Sequence, residues 1–69
     1  MNLSIVGTLY YSAPYLKEFH QRVSAVAKKV AGEDYEIVLV NDGSPDNSLD
    51  IAIDLFETDH HVRVIDLSR

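Results

Sequence analysis

At 69 residues the chain is one domain at most, and 46% apolar with 25% charged residues is the composition of a packed globule, not of a disordered tail. A chain of this size buries only about 60% of the surface its unfolded form exposes, and the absence of cysteine removes disulfides and thiolate metal sites as reinforcement. Six basic against eleven acidic residues leave a net charge of −5, which argues against nucleic-acid binding and against an anionic membrane surface as partner.

Leu3-Ser4-Ile5-Val6 is apolar and too short for a helix before Gly7, so it reads as a first strand. Ser12 can then cap a helix that opens with Ala13 and Pro14, where a missing N–H costs nothing. Leu16, Phe19, Val23, Val26, Ala27 and Val30 recur at helical spacing as one apolar stripe, and Gly32 is a stop, so the first helix is expected over 13–31. Residues 36–40 are rich in β-branched side chains and do not alternate, the pattern of a strand covered on both faces. Asn41-Asp42-Gly43-Ser44-Pro45-Asp46 is dense turn chemistry, in which Ser44 can cap a second helix with Pro45 in its first position. Leu49, Ala52, Ile53 and Phe56 form the inner stripe of that helix, widened by Ile51 and Leu55, and 62–67 reads as a third strand.

The order βαβαβ requires parallel strands with right-handed crossovers. The expected fold class is α/β, a three-layer βαβαβ unit with a short parallel sheet, the nucleotide-binding first half of a Rossmann-like fold. Such sheets normally continue, so part of the helix cover is expected to be missing, and the unpaired edge of the first or third strand should drive homo-oligomerisation. The longest clear apolar run, Ile37 to Val40, falls far short of the roughly 20 residues of a membrane span. No basic region precedes an apolar stretch at the start, so no signal peptide is expected and the location expected is cytoplasmic.

Ligands of open α/β sheets gather beyond the carboxyl ends of the strands. No G-x-G-x-x-G and no G-K-[ST] follows the first strand, so neither a dinucleotide fingerprint nor a P-loop is present. Asp42 ends a strand and precedes Gly43, which permits a tight turn. Two readings stand for Asp42: a carboxylate accepting the ring N–H of a uracil or guanine, or an Asx-turn closing its own loop. Thr8 can present its hydroxyl to a base or ribose, or be an ordinary strand-end threonine. Tyr10 and Tyr11 can stack on a base or pack over the sheet end, and Arg69 can reach a phosphate or be a solvated terminus. Asp46, Asp50 and Asp54 follow a four-residue spacing that reads as a solvated helix face, and His60-His61 lacks a third ligand in register for zinc. No catalytic residue and no metal ligand is therefore assigned. His20 is a boundary residue of the first helix.

Residues 3–10, and then Glu36 through Ser48 with Val-Asn-Asp-Gly-Ser-x-Asp-x-Ser at 40–48, resemble the opening of a family 2 glycosyltransferase and its V-D-D-G-S-x-D-x-[ST] signature. Residues 64–69 resemble the third strand and the start of the family's S-R-N-x-G segment, and Ala13-Pro14-Tyr15-Leu16 is similar to the branch that transfers sugars to polyprenyl phosphate. The resemblance implies a GT-A fold, with residues 1–69 as its incomplete N-terminal nucleotide-binding part. It implies an inverting transfer from a UDP- or GDP-sugar donor. By the same resemblance Asp42 and Gly43 meet the base, Thr8 and Tyr10 line the base and ribose pocket, and Arg69 lies near the nucleotide. It further implies a divalent cation, Mg or Mn, held by a D-x-D motif, and a later carboxylate base. Neither motif is in these residues, so the chain is expected to be inactive alone and its whole protein to carry any membrane attachment elsewhere. The family's usual proline after the first strand is missing near Gly7-Thr8, its usual Asn is Tyr11, and its first signature Asp is Asn41. The alternative is a stand-alone interaction module that self-associates through its sheet edge.

Overall fold

The computed structural model describes residues 3–43 and 45–67. Its elements are β1 (Leu3–Leu9), α1 (Ala13–Ala31), β2 (Tyr35–Asn41), α2 (Ser48–Thr58) and β3 (Val62–Asp66). The three strands form one parallel sheet in the order β1-β2-β3, so β1 and β3 are its edges. Leu3 pairs with Tyr35 and Leu9 with Asn41, while β3 joins later, with Ile37 beside Val62 and Asn41 beside Asp66.

Both crossovers advance in the same direction, so right-handed connections put both helices on one face. Gly7, Leu39 and Val64 are paired across the sheet and share that face, with α1 over the first and α2 beside the last. The described residues thus build two layers of the three expected. Leu9, Leu16, Ala27, Tyr35, Ile37, Leu39, Ala52, Leu55 and Val62 are the buried core between sheet and helices. The opposite face carries Val6, 64% exposed, and Ile65, 45% exposed, with Val38 and Val40 half-buried between them. The continuous apolar run of β2 therefore meets helices on one side only.

β1 runs through the expected break at Gly7 and ends at Leu9, three residues beyond Val6. The reason is tertiary: a Cβ at residue 7 would lie 3.3 Å from the Phe19 ring, so glycine here admits the ring against the strand and does not end it. The first helix has the expected bounds and stops at Gly32, whose N–H donates to the Lys28 carbonyl. Its stripe is narrower than expected. Leu16 and Ala27 are buried and Phe19 and Val23 half-buried, but Val26 and Val30 are exposed on the flank. In α2 the buried positions are Ser48, Ala52 and Leu55; Ile53 and Phe56 turn outward and line a shallow hollow with Leu49 and Val64.

The start of α2 differs from the expectation. Pro45 lies before the helix, which begins at Ser48, and Ser44 lies outside the described residues. Asp46 does the capping. Its Oδ1 accepts from the Ser48 amide at 3.1 Å and from the Ser48 hydroxyl at 2.6 Å, and its Oδ2 accepts from the Ala13 amide at 3.2 Å. The Ser48 hydroxyl, fully buried, accepts in turn from the Ser12 amide at 3.0 Å. Ser12 makes no side-chain cap of its own; its hydroxyl turns back to the Tyr10 amide. Asp46 is thus no member of a solvated face, whereas Asp50 and Asp54 are exposed as expected.

At the far end of the helices the half-buried Asp59 lies 2.8 Å from the His20 Nε2 and 2.8 Å from the His61 Nδ1, and accepts from the His61 amide at 3.0 Å. His20 is the boundary residue expected, tying α1 to the end of α2. Burial pushes the Asp59 carboxyl up, but the His61 amide and the two imidazoles outweigh it and hold the carboxyl at about 2, below its usual 3.8.

Removal of the shared cap in Asp46→Ala should lower unfolding free energy by about 1–3 kcal/mol in urea titrations, with Asp50→Ala within about 0.5 kcal/mol of the parent. Because the folded-state pKa of Asp59 is depressed, its stabilisation is complete above pH 3.8 and is lost as pH falls through about 2. The urea midpoint should therefore drop across that acid window, and Asp59→Asn should flatten that part of the profile while lowering the midpoint at neutral pH.

Candidate functional site

The strands deliver three chain exits side by side. Tyr10 and Asp42 each follow the paired couple Leu9–Asn41, and the Leu67 amide donates to the Asn41 carbonyl at 2.7 Å, extending the β2–β3 pairing by one residue. Asp42 is exposed, and among the described residues no hydrogen bond occupies its carboxylate. Gly43 follows with φ +78°, the left-handed conformation that turns the chain toward α2, and a Cβ there would meet nothing within 4 Å. The turn is made by the glycine backbone, which leaves the Asp42 side chain available.

Asn41 is only 2% exposed and faces β3, where its Nδ2 donates to the Asp66 Oδ1 at 3.1 Å. An aspartate in its place would set two carboxylates against each other with no donor between them. Tyr11 has φ 51°, a conformation in which asparagine is several-fold enriched, and its ring meets that of Tyr10 edge-on with centroids 4.8 Å apart. Two of the three departures from the family pattern, Asn41 and Tyr11, therefore have local structural settings.

A cleft of about 150 Å³ opens between the exit of β1 and the head of α1, lined by Gly7, Thr8, Leu9, Ser12, Tyr15, Leu16, Phe19 and Leu39. Thr8 is the one expected site residue on its wall, and it lies inside β1 paired with Val40, not in the loop. Tyr10, Asp42 and Gly43 stand at the sheet end outside the cleft, and Arg69 lies outside the described residues. The cleft is small against the roughly 300–1,000 Å³ of a ligand pocket.

Two other carboxylates at this end are engaged: Asp46 by Ser48 and Ala13, Asp66 by Asn41. Among the described residues no three ligand-bearing side chains gather at this end. The sequence reading missed the Asp46–Ser48 pair as a structural hub; the D-x-S spacing was its only local sign. It also missed Glu33, which the fold brings to His60 and His61.

The family model for glycosyl transferase family 2 matches residues 4–69. The chain belongs to that family. Over its full length it is 52% identical to a Mycobacterium tuberculosis protein named for glycosyltransferases, of which it covers 20%. It is 38% identical over 96% of its length to the Bacillus subtilis glycosyltransferase YkcC, again covering 20% of that protein. A Synechocystis glycosyltransferase, sll0501, is 33% identical over the whole chain, which covers 21% of it. The chain thus spans about a fifth of the length of these curated relatives. No solved structure matches it at a significant level. The fold agrees with the first half of a GT-A domain: a parallel βαβαβ unit whose signature segment, 40–48, forms the exit of β2 and the head of α2. Among the described residues no helix is long and apolar enough to cross a membrane.

Because Gly43 is left-handed in open space, Gly43→Ala should cost about 1–2 kcal/mol by backbone strain alone, seen as a lower melting temperature.

Proposed function

We propose that the chain is the nucleotide-sugar-binding portion of a glycosyltransferase whose remaining catalytic parts lie outside these residues. The observation that carries this reading is Asp42: an exposed carboxylate at the exit of the central strand, with no hydrogen bond from the described residues, in a chain of family 2. A carboxylate there accepts the ring N–H of uracil or guanine, a donor that cytosine and adenine lack, so the donor is a UDP- or GDP-sugar. Thr8 and Tyr10 flank the base and ribose, Gly43 lets the backbone approach, and Arg69 meets the nucleotide. The sugar goes, with inversion, to an acceptor such as polyprenyl phosphate, for which the resemblance of 13–16 is the support. A divalent cation on the diphosphate belongs to the rest of the protein, which acts in the cytoplasm or at its membrane face.

Calorimetric titration with UDP, GDP, CDP and ADP tests this. UDP or GDP should bind detectably and the other two should not. Asp42→Ala should weaken the favoured nucleotide about 10- to 100-fold, the scale of a hydrogen bond to a charged group. Unchanged affinity in that variant would refute the role given to Asp42.

A second reading, a module that pairs with its own copy, is favoured by two specific features: the unpartnered edges β1 and β3, and the exposure of Val6 and Ile65 on the open face. Sedimentation velocity separates it, because a concentration-dependent dimer with no nucleotide affinity would support the module over the transferase portion.

A further inference from the structure

At the end of the sheet opposite the strand exits, the loop before β2 and the loop before β3 bring Glu33, His60 and His61 together, with one ligand atom from each within 4.8 Å of the others. His61 is the centre of the arrangement and is only 6% exposed. Its ring lies flat on Tyr35, with centroids 3.9 Å apart and planes 7° from parallel, and the His60 ring is 4.1 Å away. Its Nδ1 is 2.8 Å from the Asp59 Oδ1. An ionised carboxylate only accepts, so Nδ1 carries a proton, and in the neutral form of the ring Nε2 presents a lone pair. That Nε2 is buried and makes no hydrogen bond, although the Glu33 Oε1 stands 3.0 Å from it, off the direction a ring N–H would need. A neutral Nε2 offers the carboxylate oxygen no hydrogen, whereas a cation on the lone-pair axis lies within reach of both atoms.

We propose that Glu33, His60 and His61 form a binding site for a zinc-class divalent cation, a structural clip that joins the α1–β2 loop to the α2–β3 loop. Two imidazoles and one carboxylate are a donor set suited to zinc, with water as the fourth ligand; magnesium and calcium prefer oxygen alone. Bonds of about 2.1 Å at the tetrahedral angle set ligand atoms about 3.4 Å apart, and the present spacings of 3.0 Å to at most 4.8 Å bracket that value. Asp59 supplies the outer carboxylate that fixes the tautomer and orientation of a metal-bound histidine, and is itself held by His20. Glu33 and His60 are exposed, which gives the ion a way in. In a chain with no disulfide, such a clip acts on folding directly, since the site does not exist in the unfolded state. The inference is independent of the nucleotide reading, which concerns the other end of the sheet.

The test is calorimetric titration of zinc chloride into untagged chain stripped with EDTA, with side-chain ¹⁵N spectra of the histidines. One zinc should bind per chain and shift the His61 Nε2 resonance. The melting temperature should rise with zinc and return with EDTA, while magnesium does neither. Glu33→Gln and His60→Gln replace exposed side chains and should keep the parent circular dichroism, yet each should weaken zinc at least about tenfold. Zinc affinity unchanged in both variants would overturn the proposal. So would a His61 ring carrying protons on both nitrogens at neutral pH and indifferent to zinc, which would mean that a proton fills the gap.

Discussion

The first turn of any helix leaves backbone amides without partners, and α1 does not supply its own cap. The Ser12 hydroxyl is turned back on Tyr10, so the amides of Ser12 and Ala13 are met from 36 and 33 residues away, by the Ser48 hydroxyl and the Asp46 carboxylate. Asp46 at the same time holds the amide and hydroxyl of Ser48 at the head of α2. One carboxylate and one buried hydroxyl thus bring two helix heads together beside the strand exits. The position of the loop that carries Asp42 follows from this, because that loop is strung between the end of β2 and Asp46.

The sheet beneath is organised by the same economy. Two crossovers in one direction give a single helix-covered face, so the deeply buried side chains are few, with Ile37, Leu39 and Val62 at the centre. Three buried polar side chains of this small core are held by specific partners: Asn41 by Asp66, Ser48 by Asp46 and Ser12, and the His61 Nδ1 by Asp59. In a low-dielectric interior such pairs fix geometry more than they add stability, since either member alone would be costly to bury.

What could be read in the residues divides by range. The bounds of α1 were legible because Pro14 and Gly32 are local signals and act locally. The end of β1 was misread because Gly7 looks like a breaker, and only the Phe19 ring, twelve positions on, explains it. The start of α2 was misread because Ser-Pro imitates a helix opening while the acceptor that matters is Asp46. Periodicity found both apolar stripes, but it cannot say which half of a wide stripe meets the sheet; Val26, Val30, Ile53 and Phe56 fell on the outer half. At the strand exits, the turn at Asp42-Gly43 could be recognised because the left-handed backbone there favours glycine. The cleft walled by α1 could not, since its shape is set by how the helix leans on the strand. The family signature marks the exit of β2 and the head of α2 without revealing that its second half, Asp46 and Ser48, is scaffold.

The two helices are pinned to each other twice, by Asp46 and Ser48 at one end and by the His20–Asp59 contact at the other. Packed helices commonly adjust to a guest by sliding along each other, and here that shear is blocked at both extremities. Accommodation at the strand exits therefore falls to the short connections around Tyr11 and Gly43, which already hold left-handed backbone. The geometry thus leaves adjustment to loop tips carried on a slab whose helices are fastened at both ends.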